Sequence, residues 1–560
     1  MTRLVFDIET TGLDWNSPDA KMHVMCTTDV DDINLVADFN DPYEAVDYLN
    51  SQELLIGHYI QFFDIPYLEA ITGKKITTPV FDTKVMAGLM FPERKSHSLE
   101  SWGDTLGLPK KTEFTYTDFT KCTPEMIEQC HRDVEITAQL HSYLMQQNIA
   151  IEAQQLETQV AMIIQKQIAR GVGFDTKAAI DLYGNLFAEY NTKKKALQLI
   201  FPPRTKTTQM KTKVKEEIIP FNPNSNDDIA ERLKEKYNWN PEKYTPKGKP
   251  AVDIAVLSAL DYPETRMLIE MSQIGKMMGY VSDGADSWLR HEKKGKIHGR
   301  INTTGVVTGR MSHFAPNMAQ VPRGGKHADQ CRSLFIPSTG NVLVGCDASA
   351  LELRCLAHYL APYDNGRLTK IIEEGDIHQS NADILTCSRD MAKHFIYAFI
   401  YGAKGKKLAE VLGCSLNNAK DMQIKFEKSF PGFKEFYAVL TNASTRGYIN
   451  GLDGRKILTP MTANTYNGGM DANYKRLNYL LQSAGAIIMK KALCIAYDKN
   501  PDLAFVLNVH DEIQVDSSKE EVYNVGKLLV DSIFEAGEYF KFRCPVRAEF
   551  KVGNNWNETH

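Results

Sequence analysis

No CxxC pair occurs among the ten cysteines, which stand at 26, 122, 130, 331, 346, 355, 387, 414, 494 and 544. Neither a zinc site nor a disulfide framework is therefore expected, and most of these residues read as small core side chains in a reducing compartment. No GxxxxGK[ST] segment is present either, which argues against an ATP-driven motor such as a helicase. Long hydrophobic runs are missing. MTRLVFDIETTG carries acids where a signal peptide needs apolar residues, and Lys490 with Lys491 interrupts the apolar stretch around AGAIIM short of a membrane span. The expectation is an intracellular, cytoplasmic protein with no membrane partner. Charge of one sign is scarce too: 65 basic against 70 acidic residues give a net charge of -5. Polyanion binding by bulk field is therefore not expected, although local charge counts for more than the sum.

What is present is an ordinary globular composition, 43% apolar and 24% charged over 560 residues, without internal repeats or low-complexity tracts. At roughly 100 to 200 residues per domain, such a chain divides into several compact units. The first 145 or so residues alternate β-rich runs (RLVFDIE, INLVADF, ELLIGHYI) with helical patterns such as MIEQCHRDVEITAQLHSYLMQQ, the mark of an α/β domain. Residues 149 to about 200 read as helix. FPPR and PFNPNSNDD then act as breakers, and DDIAERLKEKYN follows as a helix behind an Asx-type cap. KYTPKGKP reads as a loop, and 262–290 as further helix. Beyond 336 strands and helices mix: 341–347 strand, 351–361 helix, 388–430 largely helix, and LAFVLNVHDEIQVD a strand, tight turn and strand. Between Lys193 and Lys215 the chain has eight basic residues and no acid. That segment is a solvated face or loop, or a phosphate-tracking surface if the chain handles nucleic acid.

Carboxylates in apolar settings carry the chemistry. In FDIETTGL, Asp7 and Glu9 are two apart in a strand, so both side chains leave one face and can hold the same ion. Asp64 in FFDIPYL and Asp133 in CHRDVEIT have similar surroundings. Oxygen-only ligands suit Mg²⁺ or Mn²⁺, and two such ions close together serve phosphodiester hydrolysis.

A second set lies further on. VLVGCDASALELRCLAHYL ends a buried strand on Asp347 and places Glu352 and Arg354 just behind it, while Asp511 and Glu512 occupy the turn of VLNVHDEIQVD. Ionised carboxylates in low dielectric need a metal, a cation or a solvated cleft. Two strand-end acids could converge on an ion pair suited to phosphoryl transfer, or be unrelated turn aspartates. In SRDMAKHFIYAFIYGAKGKK, Arg389, Lys393, Tyr397 and Tyr401 recur every four residues, two cations and then two aromatics on one helical stripe. That pattern suits a nucleoside triphosphate, with cations on phosphates and rings against sugar and base.

In these segments the chain closely resembles family A DNA polymerases, the family of bacterial DNA polymerase I. DASALELR matches its motif A, RDMAKHFIYAFIYG its motif B and VHDE its motif C; VTGRMSHFAPNMAQVPR and NYLLQSAGA are similar to two further family segments. The front resembles the DEDD-type 3'-5' exonucleases attached to this family, SHSLESWGDTLG included. KGKIHGR, GDIHQ, GLDGRK and HDEIQV look most like the short replicative polymerases of lytic podovirus-type phages, which have exonuclease and polymerase domains and no 5'-nuclease.

The resemblance implies a multidomain α/β and α+β chain: an RNase H-like exonuclease domain over 1–148, then a right-hand polymerase with thumb mainly over 149–300, palm over 301–360, fingers over 361–470 and palm again over 471–560. It implies two Mg²⁺ at each active site, with Mn²⁺ as a substitute. Asp347 and Asp511 would hold the polymerase pair with Glu512 close by; Asp7, Glu9, Asp64 and Asp133 would hold the exonuclease pair. Arg389, Lys393 and His378 would bind the triphosphate, Tyr397 its sugar, and Tyr401 the template side. Glu352 would stand at the steric gate against a 2'-hydroxyl. Arg310, Asn317, Gln320, Asn478 and Gln482 would touch primer-template backbone or minor groove. Partners would be primer-template DNA and dNTPs, with a phage helicase-primase or single-strand-binding protein as candidates, in the cytoplasm of an infected host.

Two positions depart from the exonuclease pattern: Tyr59 where the family has Asn, and Gln129 where it has the tyrosine that orients the attacking water. They imply slow hydrolysis, or the use of another group such as His131. The competing readings are a polymerase with a degenerate nuclease domain, and a DNA-binding scaffold without catalysis. The short stretch between Ile200 and PFNPNSNDD, where the best-known phage relatives carry a large thumb insertion, argues against a thioredoxin-type clamp.

Overall fold

In RLVFDIET the alternation sends Leu4, Phe6 and Ile8 into one core and Val5 into another, so Asp7 and Glu9 leave the strand on the Val5 side. This strand, β1 (Arg3–Thr10), is the centre of a five-stranded sheet with β2 (Met22–Asp29), β3 (Val36–Phe39), β4 (Leu54–Gly57) and β5 (Val80–Asp82), in the order β3-β2-β1-β4-β5. β3, β2 and β1 are antiparallel; β1, β4 and β5 are parallel. Helix Pro124–Met145, capped by Thr123, packs across β1, β2 and β4. Tyr67 and Leu68 of helix Asp64–Thr72 and Val46 and Leu49 of helix Pro42–Asn50 fill the opposite core. This computed structural model describes all residues except 1–2, 33, 110–117, 210–213, 246, 376, 431, 464–469 and 472–474.

Gly171, at φ +66°, ends helix Ile151–Arg170 and lets the chain turn into strand Val172–Phe174 before helix Thr176–Ile200. The helix expected from 149 to 200 is therefore two helices about a glycine. With helices Asn226–Tyr237 and Pro263–Met278, the second of them builds its own apolar core. Ser225, whose hydroxyl accepts from the Asp228 amide, caps Asn226–Tyr237 in place of the expected Asx cap. The basic stretch, expected as a solvated face or loop, comprises the end of a helix and two antiparallel strands, Arg204–Gln209 and Val214–Ile219.

The back of the chain is built on a four-stranded antiparallel sheet in the order Phe505–Val509, Glu512–Ser517, Val342–Ala348, Ala548–Gly553. Helix Val522–Tyr539 covers it, and helix Arg476–Lys499 packs on Val522–Tyr539, Ile151–Arg170 and Leu351–Asp364. Arg476–Lys499 is long and apolar enough to cross a membrane, contrary to the expectation that its lysines cut it short. It is a core helix, since 78% of its apolar window is buried. The region 388–430 is three helices, Arg389–Ile400, Gly405–Leu412 and Leu416–Ser429, bound by Phe395, Phe399, Phe426 and Phe433.

Candidate active site

Asp347 lies opposite Glu512 in the central ladder, and the two-residue turn His510–Asp511 folds back so that the Asp511 carbonyl accepts from the Ala348 amide at 3.0 Å. His510 takes a positive φ of 58° to make that turn. Three carboxylates thus meet at one end of the sheet. Burial pushes Asp347 up to about 7, and the charges of Asp511 and Glu512 push the same way. Burial would also raise Glu512, but donors outweigh it: His560 Nδ1 at 2.8 Å, Trp556 Nε1 at 2.5 Å and Gln514 Nε2 at 2.6 Å hold this carboxyl below its ordinary value. Arg323 Nη2 stands 3.7 Å from Glu512 Oε2 and 4.0 Å from Asp511 Oδ1.

Glu352, in the first turn of helix Leu351–Asp364, is held from two sides. Arg310 Nη2 donates to its Oε1 at 3.0 Å, and the Tyr401 hydroxyl donates to the same oxygen at 2.8 Å. Tyr401 in turn hydrogen-bonds Gln482, and burial followed by Glu352 pushes its phenol up to about 12. Tyr397 is half-buried; burial raises the pKa of its phenol, and the charges of Glu352, Asp511 and Asp347 push the same way. Arg354 does not share this site. It is buried on the other side of its helix, donating to the carbonyls of Ser349 and Pro545 and to Glu373.

The aromatic end of the four-residue stripe therefore meets the carboxylates, with Tyr401 one residue past the end of helix Arg389–Ile400. Arg389 and Lys393 stand exposed one to two turns earlier. His378 belongs to helix Ile377–Leu385, with its side chain outside the described residues. Asn317 caps the short turn Met318–Gln320 by accepting from the Ala319 amide, and Gln320 is exposed. Asn478 and Gln482, one turn apart at the start of Arg476–Lys499, are half-buried.

In the front domain Asp64 is buried and accepts from the Ile8 amide of β1 at 3.1 Å. Burial, then Asp82 and Glu9, push it up to about 7. Cys130 donates to the Asp7 carboxylate at 3.7 Å, and Asp133, one turn along the same helix, accepts from Gln129 Nε2 at 2.8 Å. The four acids are gathered around β1, between helix Pro124–Met145 and the start of helix Asp64–Thr72. Tyr59 turns elsewhere: its ring stacks on Phe62 and lies under Lys84 Nζ at 3.7 Å. His131 pairs with Asp38 at 3.1 Å.

Residues 194–558 match the family model described as DNA polymerase family A. The chain belongs to DNA polymerase family A. This family A polymerase is 31% identical to the DNA-directed DNA polymerase of Escherichia phage T7 over an alignment covering 83% of each chain, and 26% identical to DNA polymerase I of Aquifex aeolicus over 92% of this chain and 91% of the relative. Its fold matches that of the POL domain of Pol1 from M. smegmatis, solved with DNA primer-template and dNTP, with a TM-score of 0.82 at 18% identity, over all of this chain and 96% of that one.

Family A DNA polymerases use divalent metals, generally Mg²⁺. The oxygen donors of Asp347 and Asp511 fit such an ion: a buried acid pushed up by two neighbouring carboxylates gains most from a cation. Arg323, Gln514, Trp556 and His560 escaped sequence reasoning. Gln514 carried a usable signal, since in HDEIQV it lies two residues from Glu512 on the same face. The other three arrive through tertiary folding, with no local pattern.

Proposed function

We propose that this family A polymerase adds deoxynucleotides to a primer 3'-hydroxyl under template direction by two-metal phosphoryl transfer, in the replication of a phage genome, and that residues 1–148 are its 3'-5' proofreading exonuclease. The observation that carries the reading is the meeting of Asp347, Asp511 and Glu512 at one sheet end, with Arg323 reaching the last two. When bound there, two divalent ions supply the charge that favours the primer alkoxide and offsets the triphosphate. Asp347 and Asp511 are their ligands. Glu512, kept ionised by His560, Trp556 and Gln514, supports the site without being free to swing. Arg389, Lys393 and His378 take the triphosphate, Tyr397 stacks near the sugar, and Glu352 crowds C2'. Arg310, Asn317, Gln320, Asn478 and Gln482 contact primer-template, with Tyr401 on the template side. In this assignment the sheet of 301–360 and 471–560 is the palm, the helices of 361–470 the fingers and 149–300 mainly the thumb.

The exonuclease half is supported by the sheet order β3-β2-β1-β4-β5 with its antiparallel and parallel halves, an RNase H-like arrangement, and by the four acids around β1, which would hold two further ions. Gln129 favours a second reading. Its amide is bonded to Asp133 and has no hydroxyl to orient water, so the front domain could hold single-stranded primer with little hydrolysis. The paired strands Arg204–Gln209 and Val214–Ile219 are short, in keeping with a chain that needs no thioredoxin-type clamp. Arg204 at their start is already paired with Glu231 and Glu235, and Lys193 with Glu270. These pairs weaken the notion of a free phosphate-tracking surface; Lys206 and Lys215 by their side chains, and Lys211 and Lys213 entirely, lie outside the described residues.

The test is a labelled primer on a longer template with Mg²⁺, with and without dNTPs. Extension lost in Asp347→Ala and shortening lost in Asp7→Ala support both halves. Extension without any shortening in the wild type selects the second reading, and the absence of both overturns the proposal.

A further inference from the structure

A third group of side chains able to hold a metal, Cys26, Asp38 and His131, lies beside the acids of β1. Cys26 on β2 is paired with Asp38 on β3, so both side chains leave the same face of the sheet. On its other flank Cys26 is paired with Asp7. Asp38, Cys26 and Asp7 thus form a row across three strands beneath helix Pro124–Met145, with Asp38 two strand spacings, about 10 Å, from Asp7. The helix lowers His131 onto the outer end of this row, its Nε2 3.1 Å from Asp38 Oδ2. A sulfur of Cys26, a carboxylate oxygen of Asp38 and a ring nitrogen of His131 all lie within 4.8 Å of one another.

We propose that Cys26, Asp38 and His131 form a zinc-binding site, independent of the polymerase and exonuclease readings. In a tetrahedral zinc site, metal–ligand distances of about 2.0 to 2.3 Å put donor atoms roughly 3.3 to 3.8 Å apart. The trio therefore needs to close by only about 1 Å to grip the ion. One soft thiolate and one imidazole select zinc, where the oxygen-only acids select Mg²⁺. Two classes of cation are thereby sorted within one domain. Binding releases the Cys26 thiol proton to solvent and leaves a fourth position for water. On the His131 side the site opens on a cavity of about 710 Å³ that His131 lines with Thr27, Thr28 and Glu135, while Cys26 lies fully buried behind it. The bound ion would pin the helix that carries Asp133 to β2 and β3. The site has no sequence signature because cross-strand register, rather than spacing along the chain, makes it.

The competing reading is a simple His131–Asp38 ion pair beside a core thiol. Cobalt titration of the metal-stripped full chain separates the two, because a thiolate on Co²⁺ gives a near-ultraviolet charge-transfer band that oxygen-only sites cannot produce. The expected result is such a band at about one equivalent, bleached by Zn²⁺, absent in Cys26→Ser and retained in Cys122→Ser, whose thiol is exposed. His131→Gln, a half-exposed position that tolerates the change if Cys26→Ser fails to fold, should weaken Co²⁺ binding by at least about tenfold. Primer extension serves as the check on folding and should be unchanged in His131→Gln. No band in the wild type, or a band that survives Cys26→Ser or is untouched by His131→Gln, overturns the proposal.

Discussion

Tyr401 and Glu352 are joined hydroxyl to carboxylate at 2.8 Å, across 49 positions of sequence. With Arg310 on the same oxygen, Glu352 is a rigid side chain rather than a mobile one, and a rigid side chain against C2' discriminates better than a floppy one. Hydrogen bonds to a charged group contribute about 1.5 to 3 kcal/mol each. Glu352→Ala should raise ribonucleotide incorporation relative to deoxynucleotide by at least about tenfold. Tyr401→Phe should change the ratio less, because Arg310 still holds the carboxylate. Single-nucleotide insertion kinetics with paired rNTP and dNTP give the ratio; an unchanged value in Glu352→Ala refutes the gate.

The Tyr397 phenol is half-buried and feels the charges of Glu352, Asp511 and Asp347. A hydroxyl there can take over the polar interaction that a missing 3'-hydroxyl leaves unmade, so dideoxynucleotides should be accepted readily. Tyr397→Phe keeps the ring and removes only that group. Discrimination against ddNTPs should then rise by about 1.5 kcal/mol or more, over tenfold. The ddNTP/dNTP selectivity ratio is the measurement, and equality with wild type would count against the assignment.

The raised carboxyl of Asp347 sets a pH dependence for the metal-free protein. Its folded value, about 7, stands above the ordinary 3.8, so between these values the folded state holds a proton that the unfolded chain has released. Stability from this group is present below the unfolded value and is lost as pH rises through the folded one. Asp64 shifts in the same direction to a similar value. Thermal melts in chelator should therefore show a lower Tm at about pH 8 than at about pH 5, and Mg²⁺ should restore more at the higher pH. Asp347→Asn should flatten part of this slope and raise the metal-free Tm at the higher pH. A Tm that climbs across the window in chelator would contradict the shift.

The parts of this architecture that were readable from sequence are those with a local period. RLVFDIET alternates, so the facing of Asp7 and Glu9 followed directly; VLNVHDEIQVD alternates about a two-residue turn, so Asp511 could be put at a strand end. What could not be read was set by partners distant in sequence. Nothing near Glu512 announces that Trp556 and His560 fold back on it, and nothing near Cys26 announces Asp38 and His131. The stripe from Arg389 to Tyr401 is helical as far as Ile400, and Tyr401, just past the helix end, reaches Glu352 on another element. Charge runs are the weakest guide: the basic stretch from Lys193 is a helix end and two paired strands, with Lys193 and Arg204 matched to acids of neighbouring helices.

Lys490, which interrupts an apolar run in the sequence, is only 2% exposed and makes buried polar contacts. Its Nζ donates to Glu157 Oε1 at 2.6 Å and to the Thr303 carbonyl at 2.8 Å, tying helix Arg476–Lys499 to helix Ile151–Arg170. Arg455 Nη1 stands 2.8 Å from the same Glu157 oxygen, and Nη2 2.5 Å from Asp453 Oδ2. Two buried acids face two buried bases, so the group is neutral as a whole. Lys490→Met leaves one acid uncompensated and should cost about 3 to 5 kcal/mol. The double change Glu157→Gln with Lys490→Met keeps the Asp453–Arg455 pair balanced and should recover most of that loss. Urea melts of both variants decide the matter through the midpoint of the first transition, which does not require the whole chain to unfold as one unit. If the double variant is no more stable than Lys490→Met, lost packing rather than stranded charge is what the lysine prevents.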